Sequence, residues 1–119
     1  MNWEKYEQRK KDRYNRFVHT LDECGTFLLG ATDETIAYNI FEEFDIDVRC
    51  NLCDENLRLF LDEYWIDETI QRDSVRLREL FCAIQREHPE IWDVQSVRNV
   101  SEWLEILQLS DSIKSMLFT

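Results

Sequence analysis

The sequence predicts an all-α fold: a single compact domain, residues 1–119, of about five to seven short helices with room for one short extended segment. Three observations predict it. Apolar residues recur three and four positions apart along most of the chain, the spacing that lines one face of a helix. Residues that cap helices stand just before these stretches. The chain has only two Gly and one Pro, too few for the hairpins of a many-stranded β fold. With 44% apolar and 13% aromatic residues it can bury a core, and its length suits one domain. No linker, low-complexity tract or fixed-period repeat divides it.

The first helix is expected from about Asn2 to Leu21. Trp3, Tyr6, Tyr14, Phe17, Val18 and Leu21 share one face, interrupted by Lys10, and Gly25 follows the end. Phe27-Leu28-Leu29-Gly30 reads equally as a turn of helix or a stub of strand. Thr32 or Asp33 then caps a second helix with Ile36, Ala37, Ile40, Phe41 and Phe44 inward. Asp45-Ile46-Asp47-Val48-Arg49 alternates polar and apolar residues and reads as an extended connection. Asp54 caps a third helix carrying Cys53, Leu57, Phe60, Leu61, Tyr64 and Trp65. Asp73 or Ser74, or else Asp67, opens a fourth with Leu77, Leu80, Phe81 and Ile84 inward; His88 and Pro89 end it. Pro89-Glu90-Ile91-Trp92 suits a short helical turn. Val94, Val97 and Val100 leave an extended piece open near residues 94–100. Ser101 caps a helix from Glu102 to Leu109, and Ser110 or Asp111 caps a last one with Ile113, Met116, Leu117 and Phe118.

Charge narrows the function. Against 14 Lys and Arg stand 25 Asp and Glu, a net charge of −11. That disfavours direct nucleic-acid binding and docking on anionic membranes, both of which need a positive face. Residues 1–20 hold six basic and three acidic residues, net +3, whereas residues 33–68 hold twelve acidic and two basic, net −10. The acidic middle is either a solvated helix surface or a face complementary to a basic partner. Its candidate partner-binding residues are Glu42, Glu43, Asp45, Asp47, Asp54, Glu55, Asp62, Glu63, Asp67 and Glu68, with Tyr64 and Trp65 as the apolar anchor. Pairing between the basic first helix and this acidic middle within one molecule would weaken the second reading.

Signs of catalysis or cofactor binding are weak, and no catalytic, cofactor-binding or metal-ligating residues are assigned. Cys50-Asn51-Leu52-Cys53 has the shape of a zinc or redox motif, but Cys24 and Cys82 form no second close pair, and all four read as buried or reduced thiols. His19 and His88 have no nucleophile context. Adjacent carboxylates such as Glu42-Glu43 or Asp62-Glu63 diverge by about 100° on a helix and do not converge on one ion. No phosphate-binding loop, dinucleotide fingerprint, nucleophile elbow or zinc-protease signature occurs. The charged opening after Met1 and the lack of a long apolar run point to the cytoplasm.

In general character, small, acidic, helical and free of a catalytic motif, the chain resembles bacterial immunity proteins, which neutralise toxins delivered by neighbouring cells in contact-dependent inhibition or by bacteriocins. The resemblance is one of overall composition. It implies a non-enzymatic inhibitor that blocks a basic nuclease-type toxin by stoichiometric binding. The alternatives are a DNA-mimic inhibitor of a phage-defence nuclease and a non-enzymatic adaptor or regulatory subunit.

Overall fold

The computed structural model describes residues 2–117. Helix α1 (Trp3–Asp22) begins where the Asn2 side chain accepts the Lys5 N–H at 3.2 Å. Trp3 and Tyr6 stay exposed, whereas Phe17 and Leu21 are wholly buried. The ambiguous Phe27 segment is a 3-10 turn, Thr26–Gly30. At Gly25 before it a β-carbon would crowd the Asp111 carboxylate and the Lys114 ammonium, whose side-chain ends would have to shift. Those side chains clasp the turn, Lys114 donating to the Cys24 carbonyl at 2.9 Å and Asp111 accepting the Thr26 N–H at 3.2 Å.

Thr32 caps the next helix, accepting the Thr35 N–H at 3.2 Å. This helix runs unbroken from α2 (Asp33–Ile36) through a π-helical segment, Ala37–Phe44, into α3 (Asp45–Asn51). The Asp45 N–H donates to the Ile40 carbonyl, five residues back. The apolar pattern accounts for the wide winding. Ile36, Ile40, Phe44 and Val48 are all wholly buried and recur strictly every fourth residue. In an α-helix of 3.6 residues per turn, such a row drifts about 40° per step; wider turns keep it facing the core. The expected extended connection over Asp45–Arg49 is therefore corrected to helix. Its alternation arose because Ile46 lies 62% exposed, while Val48 continues the inward row.

Helix α4 (Asp54–Asp62) buries Leu57 and Phe60. Its cap position is Cys53, not Asp54, and no side chain caps it. Helix α5 (Glu68–Glu87) starts at the earlier of the two expected points, with the Asp67 carboxylate accepting the Ile70 N–H at 2.9 Å. His88 follows its last turn, and Pro89–Ile91 makes a 3-10 turn. The suspected extended piece near residues 94–100 is helix α6 (Val94–Asn99): the Asp93 cap on the Ser96 N–H and the burial of Val97 outweigh the β preference of three valines. The two expected C-terminal helices are one, α7 (Ser101–Leu117). Ser110 is not a cap. It is wholly buried in mid-helix, and its hydroxyl lies 3.0 and 2.8 Å from the Leu21 and Cys24 carbonyls, between which its one hydrogen is shared. Phe118 lies outside the described residues.

The described residues contain no strand, and one core serves all helices. At one end of it Phe41 and Phe81 pack edge to face on Trp92 and Trp103, which are tilted against each other, ring centroids 5.0–5.8 Å apart. At the other, Tyr14, Phe17, Phe60 and Trp65 join α1 to α4. A polar seam reinforces that junction. Arg13 donates to Asn56, Asn56 donates to the Asn51 carbonyl at 3.2 Å, and Asn51 donates to the Thr20 hydroxyl at 2.9 Å. No described helix is long and apolar enough to cross a membrane.

Candidate functional site

The exit of α4 carries the most exposed aromatic among the described residues. The Tyr64 N–H donates to the Leu61 carbonyl at 3.1 Å, and the Trp65 N–H to the Phe60 carbonyl at 2.9 Å. This pair of bonds closes a helix end by passing one residue through the left-handed region, where glycine is usual. Here Tyr64 occupies it, with φ of 61°, and its side chain stands 93% exposed. A bulky residue in that region is strained, and such strain persists where the surrounding structure imposes it. Trp65 turns the other way and is half-buried, its ring 5.4 Å from Tyr14. The two aromatics, with Leu61, Asp67, Glu68 and Met116, line an open groove of about 640 Å³. Asp67 and Glu68 in its lining are exposed, as is Asp62 on the last turn of α4.

The remaining acids of the middle are divided. Glu63 is tied to Lys10 at 2.6 Å; Lys10, the polar break in the first apolar face, is itself buried and also meets Glu7 at 3.0 Å. Hydrogen bonds to Glu63 and then Glu7 hold the Lys10 ammonium above its ordinary pKa. Glu55 lies 3.9 Å from Arg13, Asp54 pairs with Arg78 at 2.9 Å, and Asp45 pairs with Arg49 at 2.6 Å. Thus the basic first helix does neutralise part of the acidic middle within the molecule. Glu42 is exposed, and Glu43 and Asp47 are half-buried facing the end of α1.

That last grouping escaped the sequence reading. Glu23 ends α1 and is only 6% exposed. One carboxylate oxygen from each of Glu23, Glu43 and Asp47 lies within 4.8 Å of the other two. Neither Glu23 oxygen has a hydrogen-bond partner; the nearest base is His19, whose Nε2 lies 3.5 Å from Oε1. Burial, then the carboxylates of Asp47 and Glu43, push Glu23 up to about 9. The signal was a second row of fours, Asn39, Glu43 and Asp47, parallel to the apolar one. Asn39 anchors this row to α1 by donating to the Glu23 carbonyl at 3.1 Å.

Cys24 is buried, Cys50 exposed, and Cys53 and Cys82 are half-buried; all are free thiols. Burial pushes the Cys24 thiol up to about 12, which leaves it inert at neutral pH. Among the described residues, Glu23, Glu43 and Asp47 are the only three His, Cys, Asp or Glu side chains close enough to share an ion. Comparisons with protein-family models, with curated proteins and with solved structures found no match.

Proposed function

We propose that this chain is an acidic protein-binding inhibitor of the immunity type, acting in the cytoplasm without catalysis by occupying the substrate cleft of a basic nuclease-type toxin. The observation that carries the reading is Tyr64. An aromatic side chain 93% exposed, in a backbone conformation that favours glycine, does nothing for the fold and is suited to insertion into a partner. Asp62, Asp67 and Glu68 around it supply charge that steers a basic surface into register. Trp65, braced by Tyr14 and Phe60, gives the anchor a rigid floor. The internally paired acids, Asp45, Asp54, Glu55 and Glu63, contribute less on this reading, since part of their charge is already met.

The test is capture of the native partner by the wild-type chain and by two variants, Tyr64→Ala and Asp62→Lys/Glu68→Lys. The expected result is a basic protein whose nuclease activity the wild-type chain inhibits at one-to-one stoichiometry. Both variants should lose that inhibition, and the wild-type affinity should fall steeply with salt. Inhibition that is unchanged in both variants, or capture only of a neutral complex or of the chain's own copies, would overturn the reading.

A further inference from the structure

We propose that Glu23, Glu43 and Asp47 bind a single hard divalent cation, of the calcium, magnesium or manganese class, where the end of α1 meets the π-helical segment. Three observations converge on this place. The first is spacing. Oxygens on opposite sides of a calcium ion, each at about 2.4 Å, stand about 4.8 Å apart, and those around magnesium stand closer. The carboxylates of these three residues lie within 4.8 Å of one another, so one ion reaches all three with small side-chain adjustment.

The second is the state of Glu23. Its side chain is 7% exposed, and both its oxygens are buried without a hydrogen-bond donor. Buried carboxylates are ordinarily satisfied, because each unmet acceptor costs about 1–3 kcal/mol. Among the described residues no Lys or Arg pairs with Glu23, Glu43 or Asp47, although Arg or Lys partners are found for Asp45, Asp54, Glu55 and Glu63. Among the described residues, the one basic side chain paired with the cluster is His19, its Nε2 3.5 Å from Glu23.

The third is the backbone. Glu23 follows the last turn of α1, at the partial negative end of the helix, a place that favours a cation and opposes a carboxylate. The wide winding of Ala37–Phe44 stacks Asn39, Glu43 and Asp47 toward that end, and the Asn39 amide fixes the separation by its bond to the Glu23 carbonyl. π-Helical turns recur at functional sites, and this one aligns a row of side chains that an α-helix would fan out. An all-carboxylate oxygen set selects hard cations over zinc or copper. His19, with Nε2 at 3.5 Å from Glu23, stands where it can add a nitrogen ligand, which favours manganese within that class.

The experiment is calorimetric titration of the chelator-treated protein with calcium, magnesium and manganese chlorides, paired with thermal unfolding in each salt. The expected result is one-to-one binding of at least one of the three, with a rise in melting temperature that grows with its concentration. Glu23→Gln and Asp47→Asn should each weaken that binding roughly tenfold or more, whereas Glu42→Gln, one residue away and exposed, should bind as the wild type does. Should Glu23→Gln fail to fold, Glu43→Gln, at a half-buried position, tests the same ligand set. The proposal is overturned if none of the three salts binds at one-to-one stoichiometry. It is equally overturned if binding survives unchanged in Glu43→Gln and Asp47→Asn; the cluster then holds only a shared proton.

Discussion

Replacing Tyr64 by Gly should make the protein more stable and a worse binder. The magnitude follows from the helix end. A non-glycine residue in the left-handed region costs about 1–2 kcal/mol through crowding of its β-carbon. Glycine removes that cost but loosens the unfolded chain, returning about 0.4–1 kcal/mol. The side chain is 93% exposed, so its deletion forfeits almost no buried area. The two bonds that close the helix, from the Tyr64 and Trp65 N–H groups, are backbone bonds and survive the change. The net expectation is a gain of about 0.5–1 kcal/mol, or a melting temperature higher by about 2–5 °C. Urea unfolding followed by tryptophan fluorescence measures it, and Tyr64→Asn should fall between the two. Affinity for the partner should drop by about thirtyfold or more in the same variant, the effect of losing an anchor worth at least about 2 kcal/mol. A variant less stable than the wild type by more than about 0.5 kcal/mol would refute the reasoning, because Tyr64 would then serve the fold.

Two further outcomes follow from the core. Trp103→Phe should cost about 2–4 kcal/mol in denaturant unfolding, because Trp103 is wholly buried among Phe41, Phe81 and Trp92 and its Nε1 donates to the Ile91 carbonyl at 2.8 Å; a cost below about 1 kcal/mol would mean that the aromatic end of the core repacks freely. Cys24, with its thiol pushed up to about 12, should resist thiol reagents at pH 8 until the protein unfolds, while exposed Cys50 reacts at once. Since the folded thiol titrates above the unfolded one, its stabilising contribution is complete below about pH 9 and is lost as pH rises toward 12. Cys24→Ala should flatten that alkaline decline, as measured by urea unfolding between pH 8 and 11.

Helix positions were legible where apolar spacing and caps agreed. Phe17 and Leu21 on α1 and Leu57 and Phe60 on α4 needed no tertiary information. Trp3, Tyr6 and Tyr64, expected on the same faces, are exposed, and the cap at Asp67 was only the alternative to Asp73 or Ser74. The reading failed where one residue faced the wrong way for its type. Exposed Ile46 imitated a strand alternation, and buried Ser110 imitated a cap. In both places the structure answers a long-range need: Val48 continues a row begun at Ile36, and Ser110 meets carbonyls at the end of α1. A local pattern cannot carry contacts 86 and 89 residues apart in sequence. The Tyr64 and Trp65 pair was legible as an aromatic step beside acids; their opposite exposures were not, since these depend on the left-handed turn at Tyr64.

The acidity of the middle has more than one physical role, and the pairing pattern separates them. Lys10 and Arg13 on α1 meet Glu63 and Glu55, and Arg78 on α5 meets Asp54. These pairs sit where helices pack, and Arg78 also donates to the Leu52 carbonyl at 2.7 Å just past the end of α3, so this share of the charge orients the fold. Among the described residues, two other groups of acids make no pair with Lys or Arg. At Glu23, Glu43 and Asp47 three carboxyl groups converge with no Lys or Arg among the described residues beside them, and burial with the neighbouring carboxylates pushes Glu23 up to about 9. Around Tyr64, exposed carboxylates frame a strained aromatic residue. Local costs of this kind concentrate where a surface or a cavity meets something beyond its own chain. The two places lie at opposite ends of the helical path from α3 to α4, so loss of the cation ligands and loss of the aromatic anchor should be separable by single substitutions. A variant that loses metal binding and keeps its partner, beside one that does the reverse, would show that the cluster and the groove act independently.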